Sequence, residues 1–367
     1  MIRVALIHFC LEDYTIQLAN HLAQSVDVTL VAPVTILGAY KGRLETSISV
    51  RSFEKYRIRD PRNLKSMRAL LQIIREIQPD VVHVQETYDP WYDMTLLLSK
   101  MPPLVTTIHD VFRHPGDRQT TPGSEYTKQI SYCRSQQLIV HTDSMRNILV
   151  QQFHVPKIKL NVIPIGELGS LYQCRLDGNP LQRESNTLLF FGRIWNYKGL
   201  KYLLEAMPII QKQIPDVKLI VAGRGEDIRS YFPQGYDQTC IEILNDFIPV
   251  EAVVGLFQRS TVCVLPYIEA SQSGVAALSY GLGTPIIASD VGGLREIIQH
   301  EKDGLLVPPR NVPALAAAIV RLLNDSSLQT KMQMAMFERC QQDLNWSTIA
   351  NQTIEVYKTV LAYARKR

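Results

Sequence analysis

The feature that most constrains this chain is a series of short apolar runs that do not alternate with polar residues. The first six runs are VALIHF (4–9), VTLVAP (28–33), VVHVQE (81–86), LVTTIH (104–109), LIVHT (138–142) and NVIPIG (161–166). Strands of this kind are buried on both faces, as in parallel sheets that are covered by helices. Stretches between them, such as LKSMRALLQIIREI (64–77), carry apolar residues at helical spacing. The pattern predicts an α/β fold of repeated strand–helix units.

A second series of apolar runs begins near residue 187 and indicates a second domain. Its members are TLLFFG (187–192), KLIVAG (218–223), IEILND (241–246), VCVLPY (262–267), PIIAS (285–289) and GLLVP (304–308). A chain of 367 residues also exceeds the usual size of one core. The segment 166–186 between the two series is rich in Gly and polar residues and has no periodicity. We therefore predict doubly wound domains at 1–165 and 187–349, joined by a linker at 166–186.

Composition narrows the class of protein without naming a function. Hydrophobic residues make up 46% and charged residues 20% of the chain, as in folded soluble proteins. The net charge of +4 fits phosphorylated substrates or an anionic membrane but indicates neither. The six scattered cysteines have no spacing typical of zinc or of a disulfide framework; they are Cys10, Cys133, Cys174, Cys240, Cys263 and Cys340. With no recognisable signal peptide or membrane-spanning run, we expect a reduced, cytoplasmic protein.

The segment FFGRIWNYKGL (190–200) places two cations at the end of a predicted strand. Gly192 permits a sharp turn, Arg193 follows it, and Lys198 lies where the next helix begins. Ligands of open parallel sheets bind beyond the carboxyl ends of the strands. An arginine and a lysine at such an end suit a diphosphate. The alternative is that both are ordinary exposed loop charges.

A second segment, VCVLPYIEASQSGVAALSYGLGTPIIASDVGGLREII (262–298), carries a candidate phosphate site. Ser271, Ser273 and Gly274 precede a predicted apolar helix. The unpaired N–H groups and partial positive charge of a helix N-terminus favour phosphate there. The alternative is a core helix that is merely capped by a serine. The cations on a neighbouring strand favour the phosphate site.

Together these segments and DGLLVPP (303–309) resemble the nucleotide-sugar half of retaining, family-4 glycosyltransferases with the GT-B fold. The resemblance covers residues 187–330, in a variant subgroup with a P-Y-x-E-A-S-Q-S-G-V motif. The first half is similar in DVVHVQE (80–86), TTIHD (106–110) and VHTDSMRN (140–147). The resemblance implies two Rossmann-like domains facing a central cleft, with the first binding the acceptor. It also implies that the last helix crosses back to the first domain from about residue 350.

The activity implied by the resemblance is transfer of a hexose from a nucleoside-diphosphate sugar. The acceptor would be a saccharide or a lipid-linked saccharide in polysaccharide or glycoconjugate biosynthesis, and the anomeric configuration would be retained. No cofactor is implied. We also expect no metal, because Arg193 and Lys198 would neutralise the charge that magnesium neutralises elsewhere.

The resemblance assigns a role to each candidate site residue. Arg193 and Lys198 would stabilise the departing diphosphate, and His109 would face the donor sugar. The implied donor-binding residues are Gly192, Gly223, Gly225, Glu269, Ser271, Ser273, Gly274 and Glu296. Of these, Glu296, expected at the start of its helix, would accept hydrogen bonds from the ribose. His109 has an alternative as a core or capping histidine, and His83 in VVHVQ is predicted to be a hydrogen-bonded core residue.

Two departures from the family pattern bear on activity. Two glutamates of the family fall on Ala270 and Leu278 here, while Glu269 stands one residue early. The paired glycines of the family's first loop are replaced by Phe9-Cys10-Leu11-Glu12. We interpret these two differences as features of a variant active site. An alternative is a catalytically impaired, glycosyltransferase-like binding partner.

A basic stretch at 50–68, VRSFEKYRIRDPRNLKSMR, has seven basic residues against Glu54 and Asp60. It offers peripheral contact with an anionic membrane, or with a lipid-linked acceptor, through Arg57, Arg59, Arg62, Lys65 and Arg68. The alternative is a solvated surface. Few aromatic residues interleave with these charges, which disfavours a nucleic-acid partner. The expected location is the cytoplasm, at the inner face of the membrane.

A different class, the dinucleotide-dependent oxidoreductases, shares doubly wound sheets. The first predicted strand–helix turn lacks the G-x-G-x-x-G pattern of that class, and Gly223-Arg224-Gly225 is only a fragment of it. The sequence therefore favours the transferase.

Overall fold

The structure is a computed structural model that describes the chain except Cys10, Tyr88 and residues 113–123, 174–182, 233–234 and 365–367. The chain forms two compact units. The first contains Met1–Val111, the described residues from Ser124 to Ile165, and the last helix. The second contains Gly166–Asn345. The last helix begins at Trp346 and belongs to the first unit.

The first unit is built on a parallel sheet with the strand order β3-β2-β1-β4-β5-β6-β7. Its strands are β1 (Arg3–Ile7), β2 (Asp27–Pro33), β3 (Ser49–Phe53), β4 (Val81–Gln85), β5 (Leu104–Thr107), β6 (Gln137–Val140) and β7 (Leu160–Val162). The helices between them are α1 (Glu12–Leu22), α2 (Asn63–Ile77), α3 (Pro90–Leu98), α4 (Ser124–Arg134) and α5 (Asp143–Phe153). The central strands are buried along their length because helices cover both faces.

The second unit repeats this plan around a parallel sheet with the order β10-β9-β8-β11-β12-β13. Its strands are β8 (Thr187–Phe191), β9 (Lys218–Ala222), β10 (Ile241–Leu244), β11 (Val262–Leu265), β12 (Ile286–Ser289) and β13 (Gly304–Val307). Its helices are α6 (Gly169–Gln173), α7 (Leu200–Gln211), α8 (Val250–Arg259), α9 (Gly274–Leu282), α10 (Gly292–Ile297), α11 (Val312–Asn324) and α12 (Ser326–Gln341). The final helix, α13 (Trp346–Ala364), packs against α1 of the first unit.

The predicted fold class, two doubly wound α/β domains, is confirmed. Every apolar run of both series became a strand, which agrees with the rule that buried parallel strands lack alternation. The sequence analysis missed β3, because this edge strand has mostly exposed residues and no apolar run. The predicted linker at 166–186 contains the short helix α6, which packs against α9. Residues 174–182 of this segment lie outside the described part of the chain. No helix in the described part of the chain has the length and apolar character to cross a membrane.

The loop before α1 has an unusual backbone at Leu11. This residue has φ 64° and ψ 57°, in the left-handed region, and it directly precedes the helix. A left-handed conformation costs an L-residue about 1–2 kcal/mol, whereas glycine adopts it freely. The paired glycines that the resemblance implies would fall in this loop, and Leu11 has a backbone conformation that suits glycine. Its neighbour Cys10 lies outside the described residues.

We therefore predict that Leu11→Gly raises the free energy of unfolding by about 0.5–1 kcal/mol, because relief of the backbone strain exceeds the added entropy of the unfolded chain. Urea denaturation measures the change. The matched control is Leu64→Gly, at an exposed leucine within α2, which should lower stability by up to about 1 kcal/mol. A loss of stability in Leu11→Gly equal to that of the control would contradict the strain at Leu11.

Candidate active site

The candidate site of the second unit lies at the carboxyl ends of β8, β9, β11 and β12. The turn after β8 is locked to the turn after β9, since the Ile194 N–H donates to the Arg224 carbonyl at 3.0 Å and the Glu226 N–H donates to the Ile194 carbonyl at 2.8 Å. It is also joined to the loop after β11, because the Ile268 N–H donates to the Tyr197 carbonyl at 2.8 Å. Three strand ends are thereby held in one rigid edge.

Arg193 and Lys198 meet at this edge around two tyrosine rings. Nη2 of Arg193 donates to the Tyr197 hydroxyl at 3.5 Å. Nζ of Lys198 lies 3.7 Å from the ring centroid of Tyr267 and 5.1 Å from that of Tyr197. Burial raises the pKa of Tyr267, which keeps that ring neutral under the lysine charge. Cation–π attraction orients an ammonium group without adding a negative charge, so the two rings position Lys198 at this edge.

The helix α9 begins at this edge. Its N-terminus has the serine cap that the sequence offered as the alternative to a phosphate site. The Ala276 N–H donates to Oγ of Ser273 at 3.2 Å, and Ser273 is buried. Ser271 is half-buried, and Gly274 is the first residue of the helix. The capping role of Ser273 is therefore observed, and the predicted contact of nearby backbone amides with a phosphate stays a prediction.

The glycines after β9 have a steric reason that is independent of any ligand. Gly223 has φ 149°, and a Cβ there would lie 1.8 Å from the Gly192 carbonyl oxygen. A Cβ on Gly225 would lie 2.2 Å from the Ile194 carbonyl oxygen. Gly192 itself has φ 112° and directly follows β8. These three residues allow the turns after β8 and β9 to touch, and their contact with a nucleotide stays a prediction.

The two candidate glutamates are both exposed, and one lies elsewhere on its helix than expected. Glu296 is the fifth residue of the six-residue α10 rather than near its start, because the helix already begins at Gly292. Glu269 lies on the loop after β11. Leu278, which takes the place of a family glutamate, is 4% exposed on α9. This departure from the family pattern has therefore produced a buried apolar contact where a polar ligand group was expected.

His109 follows β5 in the first unit and is completely buried. Its Nε2 lies 2.8 Å from the side-chain amide of Gln85, and its Nδ1 lies 2.9 Å from Nε2 of His141. Burial lowers the pKa of His109 well below its usual value, and that of His141 to about 4. This is the core arrangement that was the alternative for His109, and its role toward a sugar stays a prediction. His83 is confirmed as a hydrogen-bonded core residue, in contact with Tyr357 and Thr107.

Gln85, His141 and Tyr357 were missed by the sequence analysis. Gln85 and His141 do lie in segments that the resemblance quoted, directly at the ends of apolar runs. Their position at the ends of predicted strands was the signal in the sequence that could have identified them as candidates. Their mutual contacts depend on the order β4-β5-β6 in the sheet, which the sequence does not state.

The basic stretch after β3 is held by hydrogen bonds from the side chains of Trp91 and Asn63. Nε1 of Trp91 donates to the Ile58 carbonyl at 2.6 Å, and Nδ2 of Asn63 donates to the Arg57 carbonyl at 3.0 Å. The predicted surface residues Arg57, Arg59, Arg62, Lys65 and Arg68 are all exposed. Arg62 differs from the expectation, because it pairs with Asp60 at 2.7 Å and its charge is partly offset. Among the described residues, no group of His, Cys, Asp and Glu side chains is arranged to hold a metal ion.

Comparison with known proteins agrees with this architecture in both halves of the chain. Residues 185–325 match the family model described as glycosyl transferases group 1, and residues 11–166 match that of Glycosyltransferase Family 4. An uncharacterized glycosyltransferase of Methanocaldococcus jannaschii is 26% identical over 315 residues, which is 81% of this chain and 80% of that protein.

Two solved structures share the fold over nearly the whole chain. Sucrose-phosphate synthase from Thermosynechococcus elongatus has a TM-score of 0.75 at 21% identity, over 99% of this chain and 100% of that one. HepE from Anabaena, solved in complex with UDP-glucose, has a TM-score of 0.71 at 15% identity, over 98% of this chain and 100% of that one.

The paired sheets and their matches define a glycosyltransferase of the GT-B fold. Within that class, the first half of the chain matches the Glycosyltransferase Family 4 model and the second half matches the model of glycosyl transferases group 1. The oxidoreductase alternative is therefore set aside.

We predict that Gly223→Ala lowers the free energy of unfolding by about 2 kcal/mol or more, because the added methyl group meets the Gly192 carbonyl and the left-handed backbone is strained. Gly274→Ala is the matched control, since its Cβ would meet Leu168 at an ordinary 3.9 Å. Its stability should stay the same or rise by up to about 1 kcal/mol in the helix. Chemical denaturation compares the two, and equal losses would contradict the steric role of Gly223.

Proposed function

We propose that this glycosyltransferase moves a hexose from a nucleoside-diphosphate sugar to a saccharide or lipid-linked saccharide acceptor, with retention of anomeric configuration and without a metal ion. The observation that carries the proposal is the pair Arg193 and Lys198, gathered around Tyr197 at the carboxyl edge of a parallel sheet. The relative HepE was solved with UDP-glucose, which supports a nucleotide-sugar donor.

The proposed chemistry follows from where negative charge grows. When the bond between the sugar and the diphosphate breaks, charge accumulates on the leaving phosphate. Cations that are already in place stabilise this transition state more than the bound substrate, so they raise turnover. Arg193 can bind two phosphate oxygens as a planar fork, while Lys198 acts as a point charge on a flexible stem. The acceptor hydroxyl would attack on the leaving-group side and pass its proton to the departing phosphate.

The donor pocket of the proposal is formed by neighbouring loops of the second unit. Gly192, Gly223 and Gly225 have no side chains, so a nucleotide would be able to approach the backbone of the turns after β8 and β9 closely. Backbone amides at Ser273 and Gly274 would share the phosphate charge at the start of α9. The half-buried Ser271 lies on the same loop. The exposed carboxylates of Glu269 and Glu296 would bind the ribose and the sugar hydroxyls. His109 would face the donor sugar.

We predict that one nucleotide among UDP, GDP and ADP, with its sugar, raises the melting temperature of the wild type most, because a ligand that binds only the folded state stabilises it by mass action. Arg193→Ala should lose most of this shift. Lys198→Ala should keep most of it and lower kcat about 100-fold or more, since it removes charge stabilisation that is strongest in the transition state. Lys201→Ala, at an exposed lysine of α7, is the matched control and should behave as wild type.

Each outcome has a distinct meaning. No shift with any nucleotide or nucleotide sugar would contradict the transferase proposal. Equal losses of affinity and turnover in Lys198→Ala would contradict its leaving-group role. Donor binding by the wild type without turnover across a broad acceptor panel would favour the second candidate, an impaired glycosyltransferase-like binding partner. The buried Leu278 in place of a family glutamate is the observation that motivates that candidate.

We also propose that the basic surface formed by Arg57, Arg59, Lys65 and Arg68 contacts an anionic membrane face, with Arg62 contributing less because of Asp60. Each such cation contributes about 1 kcal/mol near an anionic lipid surface. The hydrogen bonds from Trp91 and Asn63 hold this loop in one conformation, which lowers the entropy lost on binding. This peripheral location would bring the enzyme to a lipid-linked acceptor.

We predict that vesicles containing a third phosphatidylserine bind the wild type, and that the triple variant Arg57→Ala, Arg59→Ala, Lys65→Ala binds about 100-fold more weakly, because about 3 kcal/mol is lost. Vesicle co-sedimentation measures the difference. Arg75→Ala, an exposed arginine in the last turn of α2, is the control and should bind as wild type. Absence of binding by the wild type, or an equal loss in the control, would contradict the membrane contact.

A further inference from the structure

A row of buried polar side chains crosses the first unit at the carboxyl ends of its central strands. It runs from α13 through β4, β5 and β6, and its members are Tyr357, His83, Gln85, His109 and His141, each at most 3% exposed. Tyr14 of α1 covers the rings of His109 and His141, at centroid distances of 5.0 and 5.4 Å. The row is thus sealed from water, and each of its polar groups must find a partner inside the protein.

The positions of the protons can be deduced from one end of this row. Nδ1 of His141 lies 3.0 Å from the carbonyl oxygen of Ile163, which can only accept a hydrogen bond. Nδ1 of His141 must therefore carry a proton, and in a neutral ring Nε2 of His141 is then an acceptor. It lies 2.9 Å from Nδ1 of His109, so that nitrogen must donate. A neutral His109 therefore has its proton on Nδ1 and a lone pair on Nε2.

The next member, Gln85, must satisfy the lone pair of His109. The amide oxygen of Gln85 faces Nε2 of His109 at 2.8 Å, and two acceptors cannot bond to one another. Either the amide turns by half a rotation and offers its N–H, or the pair of histidines holds one extra proton. Burial favours the first solution, because removing a charge from water is costly and already lowers the pKa of both rings.

The other end of the row agrees with the turned amide. The amide nitrogen of Gln85 lies 3.4 Å from Nε2 of His83, and after the half rotation the amide oxygen takes that place. It can then accept from a protonated Nε2 of His83, which also lies 2.7 Å from the Thr107 hydroxyl. Nδ1 of His83 becomes the acceptor for the Tyr357 hydroxyl at 2.7 Å. All the bonds then run in one direction, from Tyr357 to Ile163, and every ring is neutral.

We propose that Gln85 and His141 are positioning residues that hold His109 as a neutral ring with its proton on Nδ1, so that His109 acts by its position and exchanges no proton with substrate. The effect of His109 on the reaction rests on the proposed function. The arrangement of protons follows from the hydrogen bonds alone. Since both nitrogens of His109 are occupied within the row, neither is available as a general acid or base.

The arrangement of protons is tested on the full-length wild type with ¹⁵N-labelled histidine by long-range ¹H–¹⁵N correlation at neutral pH. The expected result is a protonated, pyrrole-type Nδ1 and an unprotonated, pyridine-type Nε2 for both His109 and His141. Signals are assigned with single His→Gln variants. A doubly protonated His109, or one with its proton on Nε2, would overturn the proposal whatever the enzymatic activity.

The positioning role is tested with two replacements of His141. His141→Leu removes the acceptor for Nδ1 of His109 and should lower kcat about 10- to 100-fold, because a displaced group loses most of its catalytic effect. His141→Gln can place an amide oxygen near the former Nε2, and it should restore the nitrogen shifts of His109 and most of kcat. Gln85→Met should change the Nε2 shift of His109 and lower kcat to a similar degree. His154→Gln, at an exposed position of the same unit, is the control.

The outcomes separate this inference from the proposed function. If the wild type turns over no donor, the proposed function fails, and the nitrogen shifts still decide the proton arrangement. If the wild type is active and His141→Leu keeps full kcat with altered His109 shifts, the positioning role is wrong. If His141→Gln restores the fold but neither the shifts nor kcat, the role is also wrong. A kcat profile that shows a His109 ionisation between pH 6 and 8 would contradict the neutral ring.

Discussion

The approach of the Lys198 ammonium to the face of Tyr267 is the interaction on which the candidate site depends. A carboxylate in that place would hold the lysine equally well but would cancel its charge. The aromatic face orients the ammonium without itself carrying a negative charge, and the ring of Tyr267 remains neutral because it is buried. The hydrogen bond from Ile268 to Tyr197 keeps both rings on one frame. The backbone hydrogen bond therefore fixes the two tyrosine rings, and the rings in turn position the Lys198 ammonium group.

Much of the fold was predictable, because a strand that is buried on both faces has a continuous apolar run in its sequence. Runs such as VCVLPY specify a buried parallel strand by themselves, while the exposed edge strand β3 leaves no such mark. The candidate site was predictable only as a set of residues. Gly223 was singled out for a nucleotide, yet its first constraint is the Gly192 carbonyl, which comes from the neighbouring strand. Contacts across strands depend on register and strand order, which local sequence does not encode.

Two positions show how this chain differs from its family without losing the fold. Leu278 is packed into the second unit at a position where the resemblance implies a carboxylate, so this helix buries an apolar side chain and lacks a hydrogen-bonding group there. Leu11 keeps a left-handed backbone that suits glycine and puts a side chain where the backbone was bare. In both cases the scaffold stays the same while the side chain differs from the one that the resemblance implies. Folds of this kind carry many specificities for that reason.

The membership of α13 in the first unit has a consequence for how the protein is made. Trp346 packs against Tyr14, and Tyr357 bonds to His83, so two aromatic side chains near the end of the chain complete a core that begins at the first strand. During synthesis the first unit lacks these contacts until the whole second unit has emerged from the ribosome. Domains otherwise complete their folding in the order of synthesis. The first unit therefore completes its packing, and covers its polar row, only after the last helix has been made.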